Sequence, residues 1–409
     1  MIIVIADDLT GAAEIGGIAW RHGLSAEIQV EIDLSSPADL LVVDTNSRGL
    51  SPLAATERVV AVAEICRRAG VTHLFKKVDS VLRGPILAEL YALMGVLGRE
   101  RGLLVPANPG LGRTVGQGIY RVQGDPLDRT DFANDPDYPA TSADVRHLLW
   151  QRSAGWPHEG WHEGSVQLLA TGQALTTLGV SVGEAESDED VQRWADALDG
   201  ETLPAGASAF FAAYLTTLGH GEVDRRLAEV YAQSTLYVNG STAATSHIFI
   251  GRCKEAGTPV LHLLPQFFDT PAHENADPLQ AWADAIIHKL AQHPQVIVTL
   301  AGPIRRDADL SQGLTDYLGM LVERILAVHP VDHLLIEGGA TAAAIIQRMK
   351  WQRLAVIHEA AVGVVSVKPI LPHAAQLFPR ITMKPGSYAW PSHLISPDLR
   401  HPPESPLDR

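Results

Sequence analysis

The chain has 409 residues, 46% of them hydrophobic, and a formal net charge of −15 at pH 7. This length favours two domains over one, and the hydrophobic content excludes a largely disordered chain. The acidic balance argues against nucleic acid as the main partner. No apolar run approaches the length needed to span a bilayer, so no membrane partner is expected.

The amino terminus and the cysteines indicate a cytoplasmic protein. Residues 2–6 are apolar, but Asp7 and Asp8 end the run and no basic region precedes it. We therefore expect a first strand rather than a signal peptide. The two cysteines, Cys66 and Cys253, lie far apart and predict neither a disulfide framework nor a cysteine zinc site.

Two carboxylates and a threonine follow the first predicted strand. Asp7, Asp8 and Thr10 come directly before a helix that is predicted to end near Arg21. Adjacent carboxylates can bind a metal, accept a hydroxyl proton or hold sugar hydroxyls. The alternative is that Asp8 or Thr10 only caps the helix. The segment is neither a dinucleotide fingerprint nor a Walker loop.

Charged residues also follow the next predicted strands. Arg48 lies after the strand at 40–43, and its guanidinium can pair with a carboxylate through two hydrogen bonds. The stretch 76–85 follows a short apolar run and precedes a helix that begins near Pro85. It places five polar residues between strand and helix: Lys76, Lys77, Asp79, Ser80 and Arg83.

A fourth strand, 102–105, leads into a glycine-rich loop that contains Arg113. Its glycines permit backbone amides to approach an anion, or simply form turns. Four successive strands thus end in polar loops. In open α/β sheets, ligands bind at the edge formed by the carboxyl ends of the strands. A further pattern, H-E-x-x-H at 158–162, resembles a zinc-protease motif, but the glycines and proline around it disfavour the helix that such a site needs.

The strand and helix alternation restarts near residue 236, which predicts one domain at 1–225 and a second at 226–409. Here the strand ends are neutral. Ser241 follows one strand, and Gly386 follows another at 381–384. Between them comes Gly338-Gly339-Ala340-Thr341, where paired glycines suit either a phosphate cradle or tight packing.

We therefore expect an α/β protein with two domains, each a mainly parallel sheet flanked by helices, and an active site in the cleft between them. Charged and hydroxyl loops in the first half suit a polar, anionic substrate. Glycine and hydroxyl loops in the second half suit nucleotide phosphates. Phosphoryl transfer, which relies on positioning and electrostatics, fits this division.

Four motifs in order, at 6–12, 44–48, 76–84 and 106–113, resemble those of the four-carbon acid sugar kinase family. Members phosphorylate the terminal hydroxyl of threonate, erythronate or oxo-tetronate acids with ATP. The resemblance spans nearly the whole chain and implies an N-terminal domain for the acid and a C-terminal domain for the nucleotide. Substrate contacts are predicted at Asp7, Asp8, Thr10, Arg48, Lys77, Asp79, Ser80, Arg83 and Arg113. Nucleotide contacts are predicted at Ser241, Gly338, Gly339, Ala340, Thr341 and Gly386.

The predicted mechanism has Arg48, Arg83 and Lys77 hold the acid, while Asp79 or Asp8 accepts the hydroxyl proton and Mg²⁺ balances phosphate charge. The metal ligands are not identified, and a homodimer is compatible with the sequence. Ala340 stands where family members usually carry an acid. A non-catalytic sugar-acid-binding relic of a kinase is therefore the alternative function, and a larger or branched acid is the alternative substrate. A dehydrogenase would need the dinucleotide fingerprint that the first strand lacks.

Overall fold

Parallel strands alternate with helices through most of the chain, because most strands are apolar throughout and must be covered on both faces. In the computed structural model the chain divides into two units, Met1–Arg225 and Arg226–Arg409. The α/β class, with mainly parallel sheets flanked by helices, is confirmed. The structure describes residues 1–135, 138–156, 166–175, 178–225, 232–241, 243–263, 267, 276–300, 308–371, 378–386, 388–391 and 394.

The first unit contains an all-parallel sheet with the strand order β2-β3-β1-β4-β11-β5-β10-β9 and a small antiparallel sheet, β6-β7-β8. The strands are β1 Ile2–Ala6, β2 Ala26–Gln29, β3 Leu40–Asp44, β4 His73–Lys77, β5 Arg101–Val105, β6 Arg113–Gly116, β7 Ile119–Val122, β8 Asp125–Pro126, β9 Gln167–Leu169, β10 Gly179–Gly183 and β11 Thr202–Gly206. The helices are α1 Leu9–Arg21, α2 Pro52–Arg68, α3 Ile86–Leu97, α4 Val145–Arg152, α5 Asp188–Asp196 and α6 Ser208–Thr217.

Strand register brings the predicted polar loops of this unit together. In the two ladders of β1, Ala6 pairs with Asp44 of β3 and with Lys77 of β4. The residues that follow these three positions therefore leave the sheet side by side at its carboxyl edge. All residues of β1 and β3 are buried, which matches central strands of a parallel sheet.

Helix starts in this unit follow the capping signals in the sequence. Asp8 caps α1 by accepting the Gly11 N–H at 2.8 Å, and Ser51 caps α2 ahead of Pro52. Both agree with the preference of helix starts for short polar side chains. The sequence analysis did not predict β2 or β11.

The second unit has the strand order β13-β14-β12-β15-β18-β17-β16. The first five strands run parallel, whereas β17 runs antiparallel to both neighbours. The strands are β12 Thr235–Asn239, β13 Val260–His262, β14 Gln295–Thr299, β15 His333–Glu337, β16 Arg353–Ala361, β17 Val364–Pro369 and β18 Arg380–Lys384. The helices are α7 Ala244–Glu255, α8 Ala276–Leu290, α9 Ala308–Val328 and α10 Gly339–Arg348.

Register again aligns the strand ends of this unit. Asn239 pairs with both Thr299 and Glu337, and Glu337 pairs with Lys384, so the loops that follow β12, β15 and β18 are neighbours. The antiparallel hairpin β16–β17 was not predicted, because only 354–356 was recognised as a strand. No described helix is long and apolar enough to cross a bilayer. The H-E-x-x-H pattern lies outside the described residues.

Candidate active site

Arg48 joins the carboxylates that follow β1 and β4. Its Nε and Nη2 contact Asp7 at 2.7 and 3.1 Å, and its Nη1 and Nη2 each lie 2.7 Å from an Asp8 oxygen. Nη2 also lies 3.6 Å from Asp79 Oδ1. Thr10 Oγ1 donates to Asp8 at 2.6 Å. One guanidinium therefore orients three carboxylates, through the two-pronged geometry that suits arginine.

Asp79 shapes the turn between β4 and α3. Its Oδ2 accepts the backbone N–H groups of Val81 and Arg83 at 3.1 Å each, and the Arg83 side chain contacts both Asp79 oxygens at 2.7 and 3.0 Å. Arg83 Nη1 also reaches Asp135 at 3.2 Å. Within this turn Leu82 adopts φ of 63°, a left-handed conformation that is costly for a residue with a branched side chain.

Residues outside the predicted set hold this turn in place. Arg152 donates to the Val81 carbonyl at 3.1 Å and lies over the ring of Tyr138, whose hydroxyl donates to the Arg48 carbonyl. A Cβ on Gly84, which has φ of 87°, would lie 3.2 Å from the same Arg48 carbonyl. The turn and Arg48 are thus packed together and fixed relative to each other.

Three further predicted residues lie beside this network. Lys77 Nζ donates to the Val78 carbonyl at 2.8 Å and lies 3.6 Å from Glu14. Ser80 Oγ accepts a hydrogen bond from Arg113, which begins β6 and is partly exposed. The nine predicted substrate residues form a cluster at one sheet edge: contacts around Arg48 and Asp79 join six of them, and Lys77 and the Ser80–Arg113 pair lie alongside. The cluster comprises Asp7, Asp8, Thr10, Arg48, Lys77, Asp79, Ser80, Arg83 and Arg113.

The cations in this cluster keep two of its carboxylates ionised. Burial alone would raise the pKa of Asp8, but Arg48 and Lys77, aided by two hydrogen bonds, hold that pKa below its usual value. Burial alone would likewise raise the pKa of Asp79, but the positive charges of Arg83 and Arg48 outweigh this effect and keep the pKa well below the usual range. Both groups are therefore strong hydrogen-bond acceptors and weak bases.

Asp44 behaves in the opposite way, although the sequence did not single it out. Burial is the main cause that raises the pKa of Asp44 to about 7, and the negative charges of Asp8 and Asp7 raise it further against a hydrogen bond from the Asn46 N–H. Its position in the β1–β3 ladder, paired with Ala6, places it beside the Asp7 loop. A carboxylate that changes charge near neutral pH is suited to proton transfer.

Lys76 and Lys77 have different surroundings, although both look alike in sequence. Successive side chains of a strand point to opposite faces. Lys76 is fully buried and its Nζ lies 2.9 Å from Glu89 Oε2, while Glu89 also accepts a hydrogen bond from Ser47. Lys76 and Lys77 therefore lie on opposite faces of the sheet, and the buried Lys76–Glu89 ion pair has a structural role rather than a binding role.

The predicted nucleotide loops also converge. A Cβ on Gly240 would overlap Thr341 Oγ1, and a Cβ on Gly386 would lie 2.5 Å from Ser241 Oγ. Gly338 packs on the Gly240 backbone and has φ of 103°, which only glycine adopts readily. A side chain would therefore clash at Gly240 and Gly386, and the positive φ disfavours one at Gly338.

Backbone amides dominate the chemistry of these loops. Helix α10 starts at Gly339, so Ala340 and Thr341 lie in its first turn, where N–H groups lack partners inside the helix. The Ser241 N–H donates to Asn239 Oδ1 at 3.0 Å, which fixes the neighbouring loop. Helix starts of this kind bind phosphate through amides and the helix dipole.

A buried ion pair lies at the end of β15 and β18. Lys384 Nζ is 2.7 Å from Glu337 Oε1, and both side chains are almost fully buried. Glu337 also accepts hydrogen bonds from Tyr237, from Ser246 and, at 2.9 Å, from Trp390 Nε1. Burial lowers the pKa of Lys384, and Glu337 opposes that shift. The sequence did not single out Glu337, because it reads as the last residue of a strand.

The loops fit a nucleotide better than they fit a resident metal. The glycine positions leave room for phosphate oxygens to approach the backbone. Among the described residues no group of three or more His, Cys, Asp or Glu side chains could hold a metal ion. Glu337, the carboxylate at the loops, is already paired with Lys384. The described side chains therefore do not form a metal site of three or more protein ligands.

Comparisons with known proteins place both halves of the chain. A model of a sugar-binding N-terminal domain matches residues 2–214, and a model of a nucleotide-binding C-terminal domain matches residues 236–388. The chain is 28% identical over 374 residues to a D-threonate kinase of Bordetella bronchiseptica, which covers 88% of each chain. It is 26% identical over 414 residues to a 3-oxo-tetronate kinase of Methylobacterium radiotolerans, covering 94% of this chain and 95% of the relative.

Solved structures share the fold. A protein of Salmonella typhimurium LT2 aligns with a TM-score of 0.75 at 17% identity and covers 95% of this chain and 96% of its own. A Haemophilus influenzae protein aligns with a TM-score of 0.67 at 19% identity and covers 95% of this chain and 97% of its own. At these identities the two alignments establish the architecture alone.

Proposed function

Because the chain belongs to the four-carbon acid sugar kinase family and is a phosphotransferase with an alcohol acceptor, we propose that it transfers a phosphoryl group from ATP to the terminal hydroxyl of a four-carbon sugar acid. Relatives are named kinases of D-threonate, D-erythronate and 3-oxo-tetronate. An aldonate or oxo-acid of this size is the proposed acceptor. A larger or branched acid is the alternative.

One observation carries this proposal: a single cluster presents cations and ionised carboxylates together at the sheet edge. A sugar acid has one carboxylate and several hydroxyls, so it needs both kinds of partner. Arg83, whose side chain is 29% exposed, and Arg113 suit the substrate carboxylate. Asp8, with a side chain that is 15% exposed, suits hydroxyl donors. Arg48 and Lys77 keep these groups oriented and charged.

For the proton of the attacking hydroxyl, three carboxylates are candidates. Asp79 and Asp8 remain the predicted acceptors, but their lowered pKa values make them weak bases. Asp44 has a pKa of about 7, which matches the operating pH of a general base. We therefore propose that Asp44 takes the proton, while Asp79 positions Arg83.

The proposed donor site is the group of glycine loops in the second unit. The first-turn amides of α10 and the hydroxyls of Ser241 and Thr341 would contact the phosphates, and Gly338 and Gly386 would let the backbone approach them. In this proposal Mg²⁺ enters with ATP, held mainly by phosphate oxygens and water, as is common for phosphoryl-transfer enzymes.

A coupled assay of ADP release over four- to six-carbon sugar acids tests the proposal. At least one acid should give saturable, ATP-dependent turnover. Arg83→Ala and Asp79→Asn should abolish it while leaving the thermal unfolding transition in place. Arg68→Ala is the matched control, because the Arg68 side chain is 68% exposed and pairs with Glu64 in the same helix.

The alternative, a non-catalytic binding relic, is favoured by Ala340 in the nucleotide loop and gives a different result. It would bind a sugar acid but show no heat of binding with ATP and Mg²⁺ at millimolar concentration. A fully active Arg83→Ala enzyme would contradict the assignment of the N-terminal cluster as the substrate site.

A further inference from the structure

A buried carboxylate of α3 contacts the loop that carries Arg48. Glu89 lies in the first turn of α3 and is 1% exposed. Its Oε1 accepts a hydrogen bond from the hydroxyl of Ser47, which is also buried and directly precedes Arg48. Helix α3 itself follows the turn that contains Asp79 and Arg83. Glu89 therefore links the loop after β3 to the helix that follows the turn after β4.

Hydrogen bonds to the backbone of β1 and of the residue after it give this loop further anchors. Thr45 donates to the Ala6 carbonyl through its N–H at 3.0 Å and through its hydroxyl at 2.8 Å. The N–H groups of Ser47 and Arg48 donate to the Asp7 carbonyl at 2.9 and 3.1 Å. These bonds fix the loop along β1, and the contact with α3 fixes it in a second direction.

Lys76 strengthens the contact between Glu89 and Ser47. Its Nζ lies 2.9 Å from Glu89 Oε2, and both side chains are almost fully buried. Burial raises the pKa of Glu89, the charge of Lys76 opposes this shift, and the negative charge of Asp7 adds to it. Since an ionised carboxylate accepts a stronger hydrogen bond than a neutral one, Lys76 supports the bond from Ser47. The pair is too buried to contact a ligand, yet it interacts electrostatically with Asp7.

The contacts of Arg48 depend on the direction of this loop. Its guanidinium reaches Asp7 and Asp8 at distances of 2.7 to 3.1 Å. Such bonds weaken steeply when the donor is displaced or turned. We propose that Glu89 is a positioning residue, which acts through Ser47 to hold Arg48 in the orientation that the sugar acid requires. The inference rests on the proposed function, because Arg48 belongs to the predicted substrate site.

Ser47→Ala tests the proposal, because it removes the hydroxyl and leaves the pair of Lys76 and Glu89 in place. The ADP-release assay uses the acid of highest turnover among D-threonate, D-erythronate and 3-oxo-tetronate. The KM for the acid should rise about tenfold, the size of one lost hydrogen bond to a charged group, while the KM for ATP stays unchanged. A purely structural defect would lower the melting temperature without this split.

Ser181→Ala is the matched control. Ser181 is also buried, and it lies in β10, outside the cluster. Neither KM should change in this variant. A rise in the KM for the acid that is equal in Ser47→Ala and Ser181→Ala would overturn the inference.

Two neutral double variants test the acceptor itself, since neither leaves an unpaired charge in the core. Lys76→Met with Glu89→Gln keeps a side-chain carbonyl for the Ser47 hydroxyl, so the KM for the acid should stay within about threefold of normal. Lys76→Met with Glu89→Leu lacks the acceptor and should show the same rise as Ser47→Ala. Equal KM values for the two double variants would contradict a positioning role for Glu89.

A measurement without substrate separates this inference from the proposed function. In a chain with isotope-labelled arginine, the NMR signal of the Arg48 Nε–H reports its hydrogen bond to Asp7 at 2.7 Å, and its absence from Arg48→Lys identifies it. Exchange of this proton with solvent should be about tenfold faster in Ser47→Ala and unchanged in Ser181→Ala. Unchanged exchange in Ser47→Ala would overturn the inference even in an active enzyme. If no acid is turned over, the proposed function fails, and the exchange rates of the same variants still decide whether Glu89 positions Arg48.

Discussion

The two units place their candidate sites at the same kind of position and fill them with opposite chemistry. In Met1–Arg225 the strand ends carry charges of both signs, and Arg48 lies within 4 Å of three carboxylates. In Arg226–Arg409 the loops carry glycine and hydroxyl groups, and the charges of Glu337 and Lys384 neutralise each other below them. In both units the loops that follow parallel strands meet at the carboxyl edge of the sheet, and the residue types in those loops decide which ligand is bound there.

The difference teaches how each unit would hold an anion. The first unit would use side-chain cations whose positions are set by neighbouring carboxylates, which gives directional recognition of a carboxylate and hydroxyls. The second unit would use backbone amides, which recognise phosphate by shape and need close approach more than charge. Substitutions should therefore act through charge geometry in the first unit and through steric bulk in the second.

The largest effect is expected from Arg48→Lys, which keeps the charge and removes the planar geometry that contacts Asp7 and Asp8 together. Turnover should fall by about 10² to 10³-fold, the size of loss typical when a positioned polar contact is removed. Steady-state kinetics would show the loss in kcat/KM. Arg68→Lys, in an exposed pair with Glu64, should have no effect. Turnover by Arg48→Lys at the normal rate would mean that charge alone suffices in this cluster.

Gly240→Ala should act on the second unit only. The added methyl group would overlap Thr341 Oγ1 and separate the loops, so ATP affinity should fall by roughly tenfold to a hundredfold, as expected when one close contact with a charged ligand is lost. Affinity for the sugar acid should not change. Calorimetry with each ligand measures both.

Gly251→Ala is the control for this substitution. Gly251 lies within α7, where an added Cβ has no neighbour within 4 Å, and alanine is the better helix former. Equal ATP affinities for the two variants would show that the contact between the Gly240 and Thr341 loops does not shape the nucleotide site.

Glu337→Gln should reduce stability and leave the N-terminal cluster intact. Removing one partner of a buried ion pair leaves the Lys384 charge uncompensated, which costs about 3 to 5 kcal/mol. Denaturation by urea, followed by the fluorescence of the tryptophans, would show an earlier transition, whereas sugar-acid binding without urea should be unchanged. The double variant with Lys384→Met should recover much of the loss, since no unpaired charge remains. A double variant less stable than Glu337→Gln would show that the pair itself is strongly stabilising.

The sequence predicted the parts of the fold and site that depend on local pattern. Apolar runs followed by polar loops located most strands, and the strand-end rule brought Arg48, Asp79 and Arg83 into one predicted site. Capping residues located the starts of α1 and α2. The glycine loops were identified because close backbone approach requires residues without side chains.

The rest depends on contacts between residues distant in sequence. Which of two adjacent lysines faces Glu89 is set by the strand face of β4, and the raised pKa of Asp44 depends on burial and on Asp7 and Asp8 across a strand ladder. Arg152 supports the turn from α4 through hydrogen bonds to carbonyl groups, which leave no pattern in the sequence. Local sequence therefore locates the site, whereas its electrostatics require the tertiary structure.

The smallest expected effect is the pH dependence of Asp44→Asn. The pKa of Asp44 is raised to about 7 in the folded chain, mainly by burial, from about 4 when unfolded. The protonated form of Asp44 therefore contributes to the free energy of unfolding. This stabilisation is fully present below about pH 4 and is lost as the pH rises through about 7. Asparagine cannot ionise, so Asp44→Asn should gain stability relative to the unmodified chain between about pH 5 and about pH 8.

Melting temperatures at these two pH values measure the difference, and the pH profile of kcat tests the proposed base. Asp39→Asn is the control, because hydrogen bonds from Ser25 lower the pKa of Asp39; the stability it contributes is lost only as the pH falls through that low pKa, so its effect should be constant over this range. A stability difference for Asp44→Asn that does not change with pH would mean that Asp44 stays ionised beside Arg48. In that case the N-terminal cluster would contain only weak bases, and the proton acceptor would again be Asp79 or Asp8.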